Sequence, residues 1–110
     1  MRLAILPILA LVSGCATTAP RRASEPRHAE ALAFAADQCS GCHAVSPGSE
    51  SPNPRAPGFE VVANDMGFTP VTLYEFFRDG HDNAGQMRIQ LPDDKAVLMR
   101  DYIISLRHGE

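Results

Sequence analysis

Apolar residues fall in three patterns along this chain: an unbroken run at the start, four-residue stripes near each end of the remaining sequence, and scattered singles between. The opening run, Leu3 to Val12 behind a single basic Arg2, is too short to cross a bilayer as a stable helix and ends in small residues. It therefore reads as a secretory signal. A buried N-terminal helix would show a polar face and would not place Pro7 in its middle. Residues 16–26, "ATTAPRRASEP", have no apolar period and predict a flexible tether. The expected division is a signal over 1–14, a processed N-terminus and tether over 15–26, and one small domain over 27–110.

Within that domain a first helix is predicted from about Glu25 to Gln38. Ser24 is placed to cap it, and Glu25-Pro26 suits a first turn, where acid meets the helix dipole and proline loses no bond. Ala31, Ala35 and Cys39 share a stripe at four-residue spacing, with Leu32 and Ala36 alongside, so another helix could cross closely there. Four prolines between Ser46 and Pro57 predict an extended loop. Two short helices come next, Phe59 to Asn64 and Pro70 to Arg78, with Gly67 between them and Thr69 capping the second. Asp79 to Gln90 has little periodicity and is expected to be a second loop. The last helix opens at Pro92, Asp93 and Asp94, and it repeats Leu98, Tyr102 and Leu106, flanked by Met99 and Ile103. Gly109 is expected to supply a left-handed cap at its end. No stretch alternates as a strand does. The fold class expected is all-α, with three to five short helices.

Composition sharpens this. Short helices joined by two long loops make a thin core, and an exported domain of this size needs a disulfide, metal or cofactor to hold it. The formal net charge is −3, and loss of Arg2 with the signal makes the mature chain more acidic still, so it offers no basic stripe for nucleic acid. The 3 cysteines are an odd number for an exported chain and call for an explanation. "VSGC", ending at Cys15, resembles a bacterial lipobox, which implies a lipidated Cys15 at the mature N-terminus and leaves Cys39 and Cys42 as a pair. Cleavage after Ala16, giving a soluble periplasmic protein, is the alternative. Ala16 stands where an aspartate would mark inner-membrane retention, so in a Gram-negative host the outer membrane is favoured.

Cys39-Ser40-Gly41-Cys42-His43 admits four readings. A disulfide would close a very small loop and stabilise little. A thioredoxin-like redox pair belongs in a βαβ setting, which this chain lacks. A zinc site would have to recruit its remaining ligand from His28, His81 or His108, which have no finger-like spacing. Covalent haem attachment needs two thiols for two vinyl groups and an imidazole under the iron, and this motif supplies all three on one turn. Export, the helical pattern and the under-filled core all favour haem.

"ALAFAADQCSGCHAV", "SPNPRAPGF" and "QMRIQLPDDKAVLMRDYIISL" together resemble a single-haem class I cytochrome c over about residues 28–107. The resemblance implies a small cytochrome c-like fold around one covalently attached haem c, its N- and C-terminal helices crossing at Ala31 and Ala35 with Tyr102 packed into the crossing. It implies thioethers at Cys39 and Cys42, His43 as proximal iron ligand, and Pro57 as the residue whose carbonyl region accepts the hydrogen bond from the other His43 ring nitrogen. Pro52 and Pro54 are rivals for that place. For the distal ligand the candidates are Met66, His81, Met87 and Met99. Met87 follows Gly85 and precedes the proline-started helix, and the resemblance points to the same residue, with His81 as the alternative. Arg88 follows Met87 where this family often has proline, and Arg55, Arg78 and Arg88 are candidates for a haem propionate. A chain without haem should leave an apolar hollow beside Cys39, Cys42 and His43. The implied function is a periplasmic single-electron carrier, a monomer that meets redox proteins at the haem edge and the membrane through its lipid, without catalysis, nucleic acid or a small-molecule substrate. A haem enzyme or gas sensor with an open sixth position is the alternative, as is a dedicated subunit of a membrane redox complex.

Overall fold

The computed structural model describes residue 14 and residues 24–82 and 87–109. The signal apart from Gly14, Cys15 and the first part of the tether lie outside the described residues. The elements in order are α1 (Ser24–Gln38), α2 (Phe59–Asp65), α3 (Pro70–Asp79), β1 (His81–Asp82), β2 (Arg88–Ile89) and α4 (Asp93–Ile104). The protein is mostly helical, as its periodicity predicts. Helix α1 begins at Ser24, so the last three residues assigned to the tether are helical.

Helix α4 is the hub, since α1, α2 and α3 all pack against it. Its buried side chains are Ala96, Leu98, Met99, Tyr102 and Ile103, and Met99 is fully enclosed at 0% exposure. Burying a side chain of that size contributes about 1.5–3 kcal/mol. Helix α1 answers with Ala31 and Ala35, both buried, and Ala35 at 0% exposure leaves no room for a larger residue. At the edges of this contact Lys95 Nζ reaches Glu30 Oε1 at 2.9 Å, and Arg27 reaches Asp101 at 3.6 Å. Both ion pairs are largely exposed and so contribute little. The remaining core is Phe59 and Ala63 from α2 with Leu73 and Phe77 from α3, and no polar side chain is buried among the described residues.

Local chemistry explains the helix starts. Thr69 caps α3 in the predicted way: its hydroxyl accepts from Thr72 N–H at 3.1 Å, and the Thr72 hydroxyl accepts from Thr69 N–H at 2.9 Å. Pro70 then takes the first helical position, where a missing N–H costs nothing.

Two expectations are corrected. The stretch expected to be a structureless loop holds a two-residue antiparallel ribbon, in which His81 pairs with Ile89 and Asp82 with Arg88. Two residues per strand are too few for an alternating pattern to register. Gly80 allows the close approach: its φ is +74°, and a Cβ there would sit 3.1 Å from Ile89 O and from Gln90 Cβ. Gly109 does have a positive φ, +82°, but α4 ends earlier, at Ile104, with Ser105 at its C-cap in a right-handed conformation. Tertiary bonds capture the chain beyond it. Asn64 Nδ2 donates to Leu106 O at 3.2 Å, His108 N–H donates to Asn64 Oδ1 at 2.9 Å, and Arg107 donates to the carbonyls of Ala63 and Phe68. Among the described residues no helix is long and apolar enough to cross a membrane.

Candidate functional site

Helix α1 ends at Gln38, directly before the cysteine pair. Cys39 N–H donates to Ala35 O at 2.8 Å, continuing the helical ladder, and His43 N–H donates to Cys39 O at 3.0 Å. Residues 39–43 thus form one further turn, which carries both thiols and the imidazole. Cys39 is half-buried and packs against the core, whereas Cys42 is exposed, and both thiols are free. Burial pushes the Cys39 thiol up to about 11. A thiol-redox centre needs a thiolate near neutral pH, which the burial of Cys39 disfavours at that thiol.

The imidazole of His43 is held from the other side by the proline-rich loop. His43 Nδ1 lies 2.7 Å from the carbonyl oxygen of Pro57. A carbonyl can only accept, so Nδ1 carries the hydrogen, and in the neutral ring the lone pair is then on Nε2. The ring also packs against Phe59, centroids 5.6 Å apart, and Phe59 stands edge-on to Tyr102 at 6.4 Å. The Tyr102 hydroxyl donates to Val45 O, two residues past His43, so the C-terminal helix reaches back to the segment that carries the ligand candidate. On its far side the Tyr102 ring meets His28 of α1 at 5.1 Å.

Among the described residues no group of three or more His, Cys, Asp or Glu converges as metal ligands must. Cys39, Cys42 and His43 therefore do not aim at one point, as a tetrahedral zinc site would require. Of the other histidines proposed for zinc, His28 stands edge-on to Tyr102, and His108 Nε2 is 2.7 Å from Glu60 Oε1.

The four distal candidates separate by environment. Met99 is enclosed in the core, and Met66 is 49% exposed at the C-cap of α2. Met87 is half-buried directly before β2, yet it is not among the partly buried side chains packed on the core. His81 stands in the facing strand β1, so the ribbon brings the two remaining candidates to one structural unit, although the His81 side chain lies outside the described residues. Of the arginines, Arg78 is occupied by Asp79 at 2.7 Å and by the Tyr74 ring at 5.2 Å.

Two clefts among the described residues are lined by neither cysteine nor His43. The larger, about 510 Å³, is lined by Ala44, Ser46, Glu50, Pro57, Glu60 and Val61 among others, and the smaller, about 250 Å³, lies between Ala63, Phe68 and Arg107. The apolar hollow expected beside Cys39, Cys42 and His43 is neither of these.

Sequence reasoning did not single out Phe59, Val45 or Ser51. Phe59 reads as one core residue among several, and a backbone carbonyl such as that of Val45 has no signature. Ser51 is one of three serines in its loop. No protein-family model, curated protein or solved structure matches the chain.

Proposed function

We propose that the chain is an exported, lipid-anchored cytochrome c-like electron carrier with one covalently attached haem c. The observation that carries this reading is the single turn bearing Cys39, Cys42 and His43, with Nδ1 of His43 committed to Pro57 O at 2.7 Å and Nε2 left free. The two thiols are the atoms that would form thioethers, and His43 Nε2 is the proximal ligand. The Pro57 carbonyl fixes the tautomer and turns the ring, and a bond of this type raises the basicity of the ligating nitrogen. Phe59 and the Tyr102–Val45 bond hold the same segment from behind. Met87 is the distal ligand, with His81 as the alternative. A haem bound by histidine and methionine supplies a one-electron couple at a raised potential. With both axial places taken by protein, the chain passes single electrons from a reduced partner protein to an oxidised one through small, transient contacts. Cys15 ties the domain to the membrane on its periplasmic side.

Absorption spectra of the oxidised, reduced and carbon-monoxide-treated protein test this reading. The haem should resist extraction into acidified organic solvent, and no carbon-monoxide adduct should form at neutral pH. Met87→Ala should remove the weak long-wavelength sulfur-to-iron band, lower the potential and admit carbon monoxide. A carbon-monoxide adduct of the unaltered protein would favour an open-site sensor or enzyme. Persistence of the band in Met87→Ala would move the distal ligand elsewhere.

A further inference from the structure

The segment that carries His43 is bound to the proline-rich loop and the first residue of α2 by four hydrogen bonds. Asn53 N–H donates to Cys42 O at 3.1 Å, Phe59 N–H to Ala44 O at 2.8 Å, His43 Nδ1–H to Pro57 O at 2.7 Å, and Ala44 N–H to Ser51 Oγ at 2.9 Å. In the first three the loop contributes only backbone. The Ser51 hydroxyl is the one loop side chain among these struts. Four prolines in residues 46–57 deprive the loop of donors, so few internal bonds can replace one that is lost. Because Pro52 follows Ser51, the Ser51 backbone is biased to an extended conformation, which narrows the directions its hydroxyl can take. Ala44 is buried, at 6% exposure, so its amide has little access to water if the hydroxyl is removed. The two segments also lie close together, since a Cβ on Gly58 would meet Ala44 Cβ at 3.3 Å.

We infer that Ser51 is a positioning residue for the proximal histidine: by holding the Ala44 amide it sets the distance between the loop and residues 42–45, and so keeps the Pro57 carbonyl seated on His43 Nδ1. This rests on the proposed haem function and adds a residue to it. The physical consequence is electronic as well as steric. A firm bond from Nδ1–H to a carbonyl gives the ring more anionic character, so Nε2 donates more strongly and the oxidised iron is favoured. Loosening the strut weakens that donation and favours the reduced iron.

The experiment uses the mature haem-loaded full chain, equilibrated with a one-electron redox buffer, with the ratio of reduced to oxidised protein read from the visible spectrum. Ser51→Ala should raise that ratio by roughly three- to tenfold, at or below the roughly 10–100-fold in metal affinity or activity that direct outer-shell partners of a metal ligand contribute, because Ser51 acts one contact further out. Ser51→Thr keeps the hydroxyl and should restore the unaltered value. Ser49→Ala is the control, because Ser49 Oγ donates to Ser46 O inside the same loop and makes no bond to residues 42–45. It should leave the ratio unchanged, even if it lowers the melting temperature. Hydrogen exchange at the Ala44 amide should quicken by at least tenfold in Ser51→Ala only. Should Ser51→Ala fail to acquire haem, Ser51→Cys, with a similar shape and a weaker acceptor, is measured in its place. An unchanged ratio in the Ser51 variant, or an equal shift in Ser49→Ala, overturns the inference. Absence of covalent haem from the unaltered protein overturns the reading beneath it, so the two failures are distinguishable.

Discussion

Replacing Tyr102 with phenylalanine separates the contribution of one hydroxyl from that of the ring that carries it. Tyr102 is 3% exposed, and its ring contacts with His28 and Phe59 survive the change. What is lost is the bond from its hydroxyl to Val45 O, which ties α4 to the segment after His43. A neutral hydrogen bond contributes about 0.5–1.5 kcal/mol net, and an acceptor left unpaired in a partly buried site adds to that, so the expected loss is about 1–2 kcal/mol. For a domain of this size each kcal/mol moves the melting temperature by about 4–8 °C, so a fall of about 4–16 °C is expected. Far-ultraviolet circular dichroism of the haem-loaded protein during heating measures it. A second arm varies pH. Burial raises the Tyr102 phenol above its ordinary value of 10.0. The stability from keeping that phenol neutral is therefore complete below about pH 10, and it is lost as pH rises through the raised folded value. The gap between the two proteins should accordingly narrow in strong alkali. Equal melting temperatures at neutral pH would show that the hydroxyl does not stabilise the fold, and a gap that widened in alkali would refute the sign of the linkage.

Ala35→Leu should lower stability by about 1–3 kcal/mol, because a residue at 0% exposure between α1 and α4 cannot grow without displacing one of them. Thermal unfolding reads this, and an unchanged midpoint would mean that the helices are not tightly apposed. Glu60 is held below the ordinary carboxylate value, first by its hydrogen bond with His108 and then by the Gly48 N–H. Its contribution is present above the unfolded value of about 4.5 and disappears as pH falls through the lowered folded value. The melting-temperature difference between the unaltered protein and Glu60→Gln should therefore be seen at neutral pH and vanish in acid. Cys15→Ser should shift the protein from the membrane fraction to the soluble one or block its processing, as read by fractionation and mass spectrometry. An unaltered protein that is already soluble would support cleavage after Ala16.

The elements were largely legible because their causes are local. Thr69-Pro70 specifies a helix start within a few residues, and the Leu98, Tyr102 stripe specifies which face of α4 is buried. The grouping of Cys39, Cys42 and His43 was legible for the same reason: one helical turn is a local object, and residue spacing alone defines it. The resemblance to cytochromes c named Pro57 as the partner of His43, and the 2.7 Å contact across a loop of four prolines is geometry that spacing does not dictate.

Other features depended on residues far apart in the chain. The ribbon between His81 and Ile89 forms because Gly80 lets two strands approach, and a strand of two residues has no period to read. Helix α4 stops before Gly109 because Asn64 and Arg107 bind the chain beyond it to α2, a competition no local rule contains. The hydroxyl of Ser51 matters only because Ala44 is folded against it, and Tyr102 is tied to Val45 only because α4 returns across the start of the domain. Local sequence chose the helices and placed the thiols and the imidazole on one turn. Tertiary packing alone decided which distant carbonyls and hydroxyls hold that turn, because a hydrogen bond depends on distances that only the closed chain sets.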